Sequence, residues 1–336
     1  MWRNLAALLL SVLLLAPAGA WAAFSSVYVF GDSLSDNGTA ADFIGFDYPF
    51  PYSSIPAQNI NRVSNGPVAV EVLANQLGLP LNPSLFGSTF PAAGTNYAVS
   101  GARAGRTNLG DLVTQINAFD ANHIGGAPSD ALYALFIGGN DVLSIWNEAD
   151  DASAAQTINA ATLGVETALT DLINSGAQSI LVPNVFDIGL TPEAASNRTL
   201  ATQRTVEYNT ALAATLAGVE ASNGINLFEY DLFGFSQRLA ADPASFGLSN
   251  ITDPCTTGLN LGLGGLTTSF LGSCNATNIN EYAFIDSIHP TATVHNILGN
   301  ELLAVVPLPA AVWLFGSGLL GLIGISKRRE RDSIRY

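Results

Sequence analysis

Short apolar runs recur along the chain and are separated by longer stretches whose apolar residues follow helical spacing. The runs at 27–30, 132–137, 180–185 and, more weakly, 226–230 predict buried β-strands. Helical periodicity and end signals predict helices over residues 68–77, 109–119, 152–174, 199–218 and 291–303. Strands that alternate with helices favour a parallel sheet covered on both faces, so the pattern predicts an α/β fold.

The N-terminal end departs from this pattern. Residues 5–15 form an apolar run behind Arg3, and Ala20-Trp21-Ala22 fits a small-x-small cleavage site. This arrangement is typical of a secretory signal peptide. We therefore predict that residues 1–22 are a signal peptide cut after Ala22, with Ala20 as the alternative site.

The C-terminal end departs from it as well. Residues 308–325 carry no charge and are followed by Lys327, Arg328 and Arg329. An apolar stretch of this length with a basic flank predicts a short transmembrane segment whose basic end faces the cytoplasm.

The remaining residues, 23–306, are long enough for one large α/β domain or two smaller ones, and they are strongly acidic. Six of the twelve Lys and Arg lie there, against all but two of the 27 Asp and Glu. A nucleic-acid-binding surface needs clustered positive charge, so a nucleic-acid partner is excluded. The acidity is typical of a protein that stays soluble outside the cell.

Cysteine and histidine usage narrows the chemistry further. Cys255 and Cys274 are the only cysteines, and an even pair in an exported domain predicts a disulfide. Two free buried thiols are the alternative. The three histidines, His123, His289 and His295, form no His-x-x-x-His pair, so the sequence gives little support to a metallohydrolase.

Four short segments in fixed order carry the candidate chemistry. They are FGDSLSDNG at 30–38, NYAVSGA at 96–102, GGND at 138–141 and DSIHP at 286–290. Each alone fits an ordinary turn, a surface Asp–His pair or an Asx-turn. Together they supply a serine, a histidine with a nearby carboxylate and candidate oxyanion donors, which are the groups needed to hydrolyse an ester through an acyl-enzyme.

The spacing suggests a role for each residue. Ser33 follows the first strand directly, where open α/β sheets hold ligands. Asp286 lies three residues before His289, so its carboxylate can orient the imidazole as the base for Ser33. The Asn140 side chain and the N–H groups of Gly101 and Ser33 are the candidate oxyanion donors. His123 and His295 have no comparable partner and are predicted to be structural.

Through these four segments, the chain resembles the GDSL esterases and lipases of the SGNH hydrolase superfamily. The resemblance covers nearly all of residues 23–306 and includes 62–67, 95–97 and 184–192, which are similar to the lecithinase- and haemolysin-like branch. It implies a flavodoxin-like α/β/α sandwich and ester hydrolysis without metal or cofactor. It also implies Ser33 as nucleophile, Gly101 and Asn140 as oxyanion donors, and Asp286 with His289 as the acid/base pair. No Gly-x-Ser-x-Gly elbow occurs, so the α/β-hydrolases match less well.

Residues 306–318 resemble a second family, the PEP-CTERM sorting signals in their Val-Pro-Leu-Pro-Ala variant. In that family a Pro-x-Pro motif precedes an apolar helix and an Arg cluster, and an exosortase cuts the tail. The resemblance implies that 307–336 is a sorting signal in a Gram-negative bacterium, with a transient membrane intermediate before the cell surface or the medium. Leu308 stands where the family name has Glu, and a permanent single-span anchor is the alternative.

The sequence is compatible with three functions. The first is an exported carboxylic ester hydrolase acting on lipid or short acyl esters. The second is a deacetylase of extracellular polysaccharide, and the third is a non-catalytic surface or matrix protein with the same fold. The aromatic- and proline-rich segments 45–59 and 81–93 are expected to border the site, whereas Arg103 and Arg106 either meet an anionic headgroup or are solvated.

Overall fold

A four-stranded parallel sheet forms the centre of the fold. In the computed structural model, which describes residues 24–45, 48–52, 61–84, 94–262 and 265–306, the strands pair in chain order. They are β1 (Val27–Gly31), β2 (Leu132–Phe136), β3 (Ser179–Pro183) and β4 (Asn226–Tyr230). All three pairings are parallel, as the run-and-helix pattern predicted.

An extended segment continues the sheet beyond β1. The N–H of Val29 donates to the Thr95 carbonyl (2.9 Å), and the N–H of Tyr97 donates to the Val29 carbonyl (2.7 Å). Residues 95–99 therefore lie beside β1 on the side away from β2. Numbered along the chain, the order across the sheet becomes 2-1-3-4-5, the order of flavodoxin-like folds, whose ligands bind where the order reverses.

The part of the chain described contains eight α-helices. They are α1 (Thr39–Ile44), α2 (Ala69–Gln76), α3 (Leu112–Asn122), α4 (Gly139–Leu143), α5 (Asp151–Ser175), α6 (Arg198–Asn223), α7 (Leu232–Ala241) and α8 (Ala292–Val305).

The two cores show how these helices are divided. Helices α3, α5 and α6 pack with Tyr28, Phe30 and Tyr133 on one face, and α2, α7 and α8 pack with Val29 and Ala134 on the other. Side chains alternate between the faces of each strand, so both faces are apolar. The predicted α/β/α sandwich is confirmed.

All four predicted strands and all five predicted helices are present with shifted boundaries. Two leucines inside the predicted helical ranges are mostly exposed. Leu109 and Leu163 are 66% and 61% exposed. Helix α3 begins only at Leu112, because the Asp111 carboxylate accepts the Arg103 and Asn108 N–H groups and turns the chain first. Leu163 lies on the solvent side of α5, away from the buried face that includes Ala161 and Val165.

Two small two-stranded sheets lie in the C-terminal part of the described chain. Strand β5 (Asn250–Pro254) pairs with β8 (Tyr282–Phe284), and β6 (Asn260–Gly262) pairs with β7 (Gly265–Thr267). Cys255 and Cys274 form the predicted disulfide, with their Cα atoms 5.2 Å apart. Both cysteines belong to a third apolar cluster that includes Tyr52 and Ile285.

The two predicted targeting segments, 1–22 and 307–336, lie outside the described residues, and so does the predicted transmembrane segment 308–325. Among the helices of the described ranges, none combines the length and the apolar character needed to cross a membrane.

Candidate active site

Ser33 lies in a tight turn at the carboxyl end of β1. Gly31 has φ of +154°, and a Cβ there would collide with the backbone carbonyl of Phe136. The Asp32 N–H donates to that same carbonyl (3.1 Å), and the Asp32 carbonyl accepts the N–H groups of Ser35 and Asp36. Only glycine lets the backbone approach β2 this closely before turning. The turn leaves the Ser33 side chain at the end of the sheet.

The structure brings Ser33, His289 and Asp286 into one hydrogen-bonded chain. His289 Nε2 lies 2.8 Å from Ser33 Oγ, and Nδ1 lies 2.8 and 2.9 Å from the two Asp286 oxygens. Since an ionised carboxylate only accepts, Nδ1 carries the proton and Nε2 is free to accept from the serine. This is the arrangement of a serine nucleophile, a base and an orienting carboxylate.

The Asp286 carboxylate is ionised although it is buried. Burial alone would raise its pKa, but His289 and the N–H groups of Ile288 and His289 hold the pKa below its usual value. Hydrogen bonds to the charged form outweigh desolvation here. A negative charge therefore lies beside the imidazole at neutral pH.

Gly101 and Asn140 are linked through a neighbouring carbonyl. Gly101 is the third residue of the turn Val99–Ala102, which the Ala102 N–H closes onto the Val99 carbonyl (3.0 Å), and its φ is +85°. Asn140 Nδ2 donates to the Ala102 carbonyl (3.0 Å). That bond uses one amide hydrogen and orients the other, so the two predicted donors are fixed relative to each other.

Two backbone donors near the site remain unused within the described part of the chain. Neither the Ser33 N–H nor the Gly101 N–H makes a hydrogen bond there. Exposed or cavity-facing N–H groups of this kind are available to a developing oxyanion. All three predicted donors thus have a free hydrogen.

Buried polar residues that were not singled out from the sequence hold these turns together. The Asp36 carboxylate accepts from the Gly38 N–H (2.9 Å) and from both the N–H and the hydroxyl of Ser100 (2.7 and 2.9 Å). The Asn96 amide donates to the Ser35 carbonyl (2.7 Å). Asp36 and Asn96 lie inside two of the four segments singled out from the sequence. Their closeness in the chain to Ser33 and Gly101 could have indicated that they support the site.

Two further side chains brace the ends of β1 and β2. The Gln115 side-chain oxygen accepts a hydrogen bond from the Gly31 N–H (2.8 Å), and its Nε2 donates to the Gly31 carbonyl (2.7 Å). The Asp141 carboxylate accepts the N–H groups of Ala104 and Gly105 (2.9 and 3.1 Å). Nothing in the sequence around Gln115 distinguishes it from other polar positions of a helix.

A mainly apolar cavity of about 60 Å³ lies beside the serine. Ser33, Asn140 and His289 contribute to its wall. The rest comes from side chains of β2, β8, α4, α7, α8 and the connecting segments, among them Leu143, Phe186, Phe235, Phe284, Val294 and Leu298. The cavity leads from the carboxyl ends of the strands toward the core shared with α7 and α8. Its lining suits an apolar group attached to the reacting carbonyl.

Two titratable groups in the cavity wall have pKa values displaced by burial. Burial raises the pKa of Asp32 to about 7. Burial also lowers the pKa of His295 to about 3, so its ring is neutral. His295 Nδ1 accepts the Ala69 N–H (3.2 Å), which fits a helix-anchoring role.

The other predicted positions lie elsewhere. Arg103 and Arg106 line a separate surface depression with Glu148, so they do not contribute to this cavity. His123 bonds the Phe119 carbonyl and the Tyr28 hydroxyl. Segments 45–59 and 81–93 are only partly described, and Tyr52 in the first of them reaches Asp286.

Comparison with known proteins identifies the family. The description "GDSL-like Lipase/Acylhydrolase" matches residues 27–302, nearly the whole folded unit. The chain belongs to the GDSL-like lipase/acylhydrolase family. The matched range includes all four segments that were singled out from the sequence.

Curated relatives of this GDSL-like chain include enzymes from two bacteria. It is 32% identical to a phosphatidylcholine-sterol acyltransferase of Aeromonas hydrophila over 237 residues, which cover 69% of this chain and 66% of the relative. It is 28% identical to esterase EstA of Pseudomonas aeruginosa over 350 aligned positions, 90% of this chain and 50% of the relative. The chain thus spans one half to two thirds of these relatives.

Solved structures similar to this GDSL-like fold include Axe2, an acetylxylan esterase from Geobacillus stearothermophilus. The similarity has a TM-score of 0.43 at 13% identity and covers 85% of this chain and 97% of Axe2.

Proposed function

We propose that this protein is a serine hydrolase that cleaves carboxylic esters through an acyl-enzyme on Ser33. The observation that carries the proposal is the unbroken hydrogen-bonded chain from Ser33 Oγ through His289 to Asp286 at the wall of an apolar cavity. The site lies where open α/β sheets of this strand order bind ligands. The chain also belongs to the GDSL-like lipase/acylhydrolase family, which supports ester hydrolysis.

The acylation step follows from the proton positions. Ser33 Oγ attacks the ester carbonyl carbon while its proton passes to His289 Nε2, and the carbonyl oxygen becomes an oxyanion. The negative Asp286 stabilises the imidazolium that forms. When the tetrahedral intermediate collapses, the C–O bond to the alcohol breaks and His289 returns the proton to the departing oxygen.

Deacylation reverses the roles. Water loses a proton to His289 Nε2 and attacks the acyl-Ser33 ester, and collapse of the second intermediate releases the carboxylic acid and restores the serine. An alcohol in place of water would give acyl transfer, the reaction named for the Aeromonas relative.

The oxyanion is held by the Asn140 amide and the N–H groups of Ser33 and Gly101. Replacing Asn140 with Ala removes one donor and leaves the backbone donors in place. We expect kcat to fall by roughly two to three orders of magnitude with KM nearly unchanged, because the donor binds charge that develops only in the transition state. Steady-state kinetics on an aryl ester measures this. A rise in KM alone would assign Asn140 to ground-state binding.

The apolar wall suits the acyl side of the ester, and the small cavity favours short acyl groups. This volume, about 60 Å³, is the observation that keeps deacetylation of an extracellular polysaccharide as a second candidate. A non-catalytic role is the weakest candidate, since every position of the hydrolytic machinery is filled.

A p-nitrophenyl ester series from acetate to palmitate tests the function. We expect residues 23–306 to hydrolyse the short esters fastest, because the cavity accommodates a short acyl chain. Preference for long chains would favour a lipolytic enzyme, and turnover of acetate alone would favour the deacetylase. Absence of turnover on the whole series and on acetylated polysaccharide would contradict the proposed function.

We also propose that the protein is exported and that both ends are processed. Support comes from the signal-peptide pattern of residues 1–22, the Pro-x-Pro tail beginning near 307, and the disulfide, which is typical of oxidising compartments. The partners would be signal peptidase and an exosortase-type protease. The intact mass of the mature protein from the surface fraction should correspond to Ala23 through about residue 307. A mass that includes Tyr336 would favour a permanent anchor.

A further inference from the structure

Tyr52 is a buried tyrosine that lies beside the Asp286 carboxylate. Its hydroxyl is 3.2 Å from Asp286 Oδ2 and 2.8 Å from the Thr256 hydroxyl, and its side chain is fully buried. We propose that Tyr52 is a positioning residue for Asp286 and that the disulfide-bonded segment holds it in place. This inference rests on the proposed function and extends its hydrogen-bonded chain by one member.

The donors to Asp286 show why Tyr52 matters. Oδ1 accepts the N–H groups of Ile288 and His289, and both oxygens face His289 Nδ1. All of these donors belong to the short turn that contains Asp286 itself. Tyr52 supplies the one donor from a distant part of the chain among the described residues, so it fixes the turn relative to the rest of the fold.

The direction of the hydrogen bond follows from charge. Asp286 is ionised and can only accept, so the Tyr52 hydroxyl donates to it. Burial and the nearby Asp286 charge raise the pKa of Tyr52. The hydroxyl therefore keeps its proton and remains a donor over the whole range in which an esterase works. A bond to the charged form of a carboxylate lowers the pKa of that carboxylate.

The disulfide-bonded segment places Thr256, the hydrogen-bond partner of Tyr52, next to the residues that precede Asp286. The Cys255 N–H donates to the Phe284 carbonyl (3.1 Å), and the Thr256 N–H donates to the Ile285 carbonyl (2.7 Å). These carbonyls belong to the two residues that precede Asp286. The bond between Cys255 and Cys274 closes this segment, and the Thr256 hydroxyl then lies against both Tyr52 and the Ile285 carbonyl.

Replacing Tyr52 with Phe keeps the ring and removes only the donor. We expect kcat to fall about tenfold with KM unchanged, because a hydrogen bond to a charged group is lost from the machinery and not from substrate binding. We also expect the acid limb of the kcat/KM profile to move up by about one pH unit. The acid limb reports the first proton taken up by the coupled His289–Asp286 pair, and this pair holds that proton more tightly once its carboxylate loses the Tyr52 donor.

Tyr133 offers a matched control. It is also fully buried, and its hydroxyl donates a single bond to the Pro128 carbonyl, remote from the cavity. Tyr133→Phe should leave kcat and the pH profile unchanged. If Tyr52→Phe behaves like Tyr133→Phe in both measurements, or raises KM alone, the inference is overturned.

Two variants of Thr256 keep the inference testable if Tyr52→Phe folds poorly. Thr256→Val removes the hydroxyl that holds Tyr52 and should shift the acid limb in the same direction, whereas Thr256→Ser should retain the wild-type profile. Equal profiles for the two variants would overturn the inference.

One measurement separates this inference from the proposed function. The NMR titration of the Asp286 carboxyl carbon requires no substrate, and its midpoint should move to higher pH in Tyr52→Phe. An unchanged midpoint counts against the role of Tyr52 even if the wild type is an active esterase. An inactive wild type with the expected shift counts against the proposed function alone.

Discussion

The site depends on the close pairing of β1 with β2, where Gly31 lies opposite Phe136. Because Gly31 carries no side chain, the Asp32 N–H can reach the Phe136 carbonyl and the chain can turn at once into Ser33. The segments carrying Gly101 and Asn140 follow the two neighbouring extended stretches, so they end at the same edge of the sheet. His289 lies 256 residues further along the chain than Ser33. Helix α8 follows His289 directly and packs on the sheet face that carries Val29 and Ala134.

Buried carboxylates connect this edge into one unit. Asp36 binds the Ser100 backbone, Asp111 binds that of Arg103 and Asn108, and Asp141 binds that of Ala104 and Gly105. A buried charge is costly unless hydrogen bonds satisfy it, and here each carboxylate accepts loop N–H groups that would otherwise lack partners. The acidic composition is thus in part structural, because these carboxylates hold the loops that carry the predicted oxyanion donors.

Much of the fold and the site could be predicted because their signals are local. The apolar runs defined β1 to β4, the helical spacing defined the long helices, and the four segments named Ser33, Gly101, Asn140 and His289. The short helices α1 and α4 were missed because too few residues define a period, and α7 was missed because Gly234 and Ser236 interrupt its apolar pattern. Tyr52 and Gln115 act through contacts with residues far along the chain, and spacing carries no information about such contacts.

The proposed reaction depends on the Ser33 oxygen acting as a nucleophile that His289 activates. The most direct test is to treat the protein with an aryl phosphonate ester that mimics the acyl group, and to locate the adduct by intact mass and peptide mapping. We expect one phosphonyl group per chain, on Ser33, together with loss of esterase activity, and no adduct in Ser33→Ala. An adduct on another residue, or full esterase activity in Ser33→Ala, would contradict the proposed reaction.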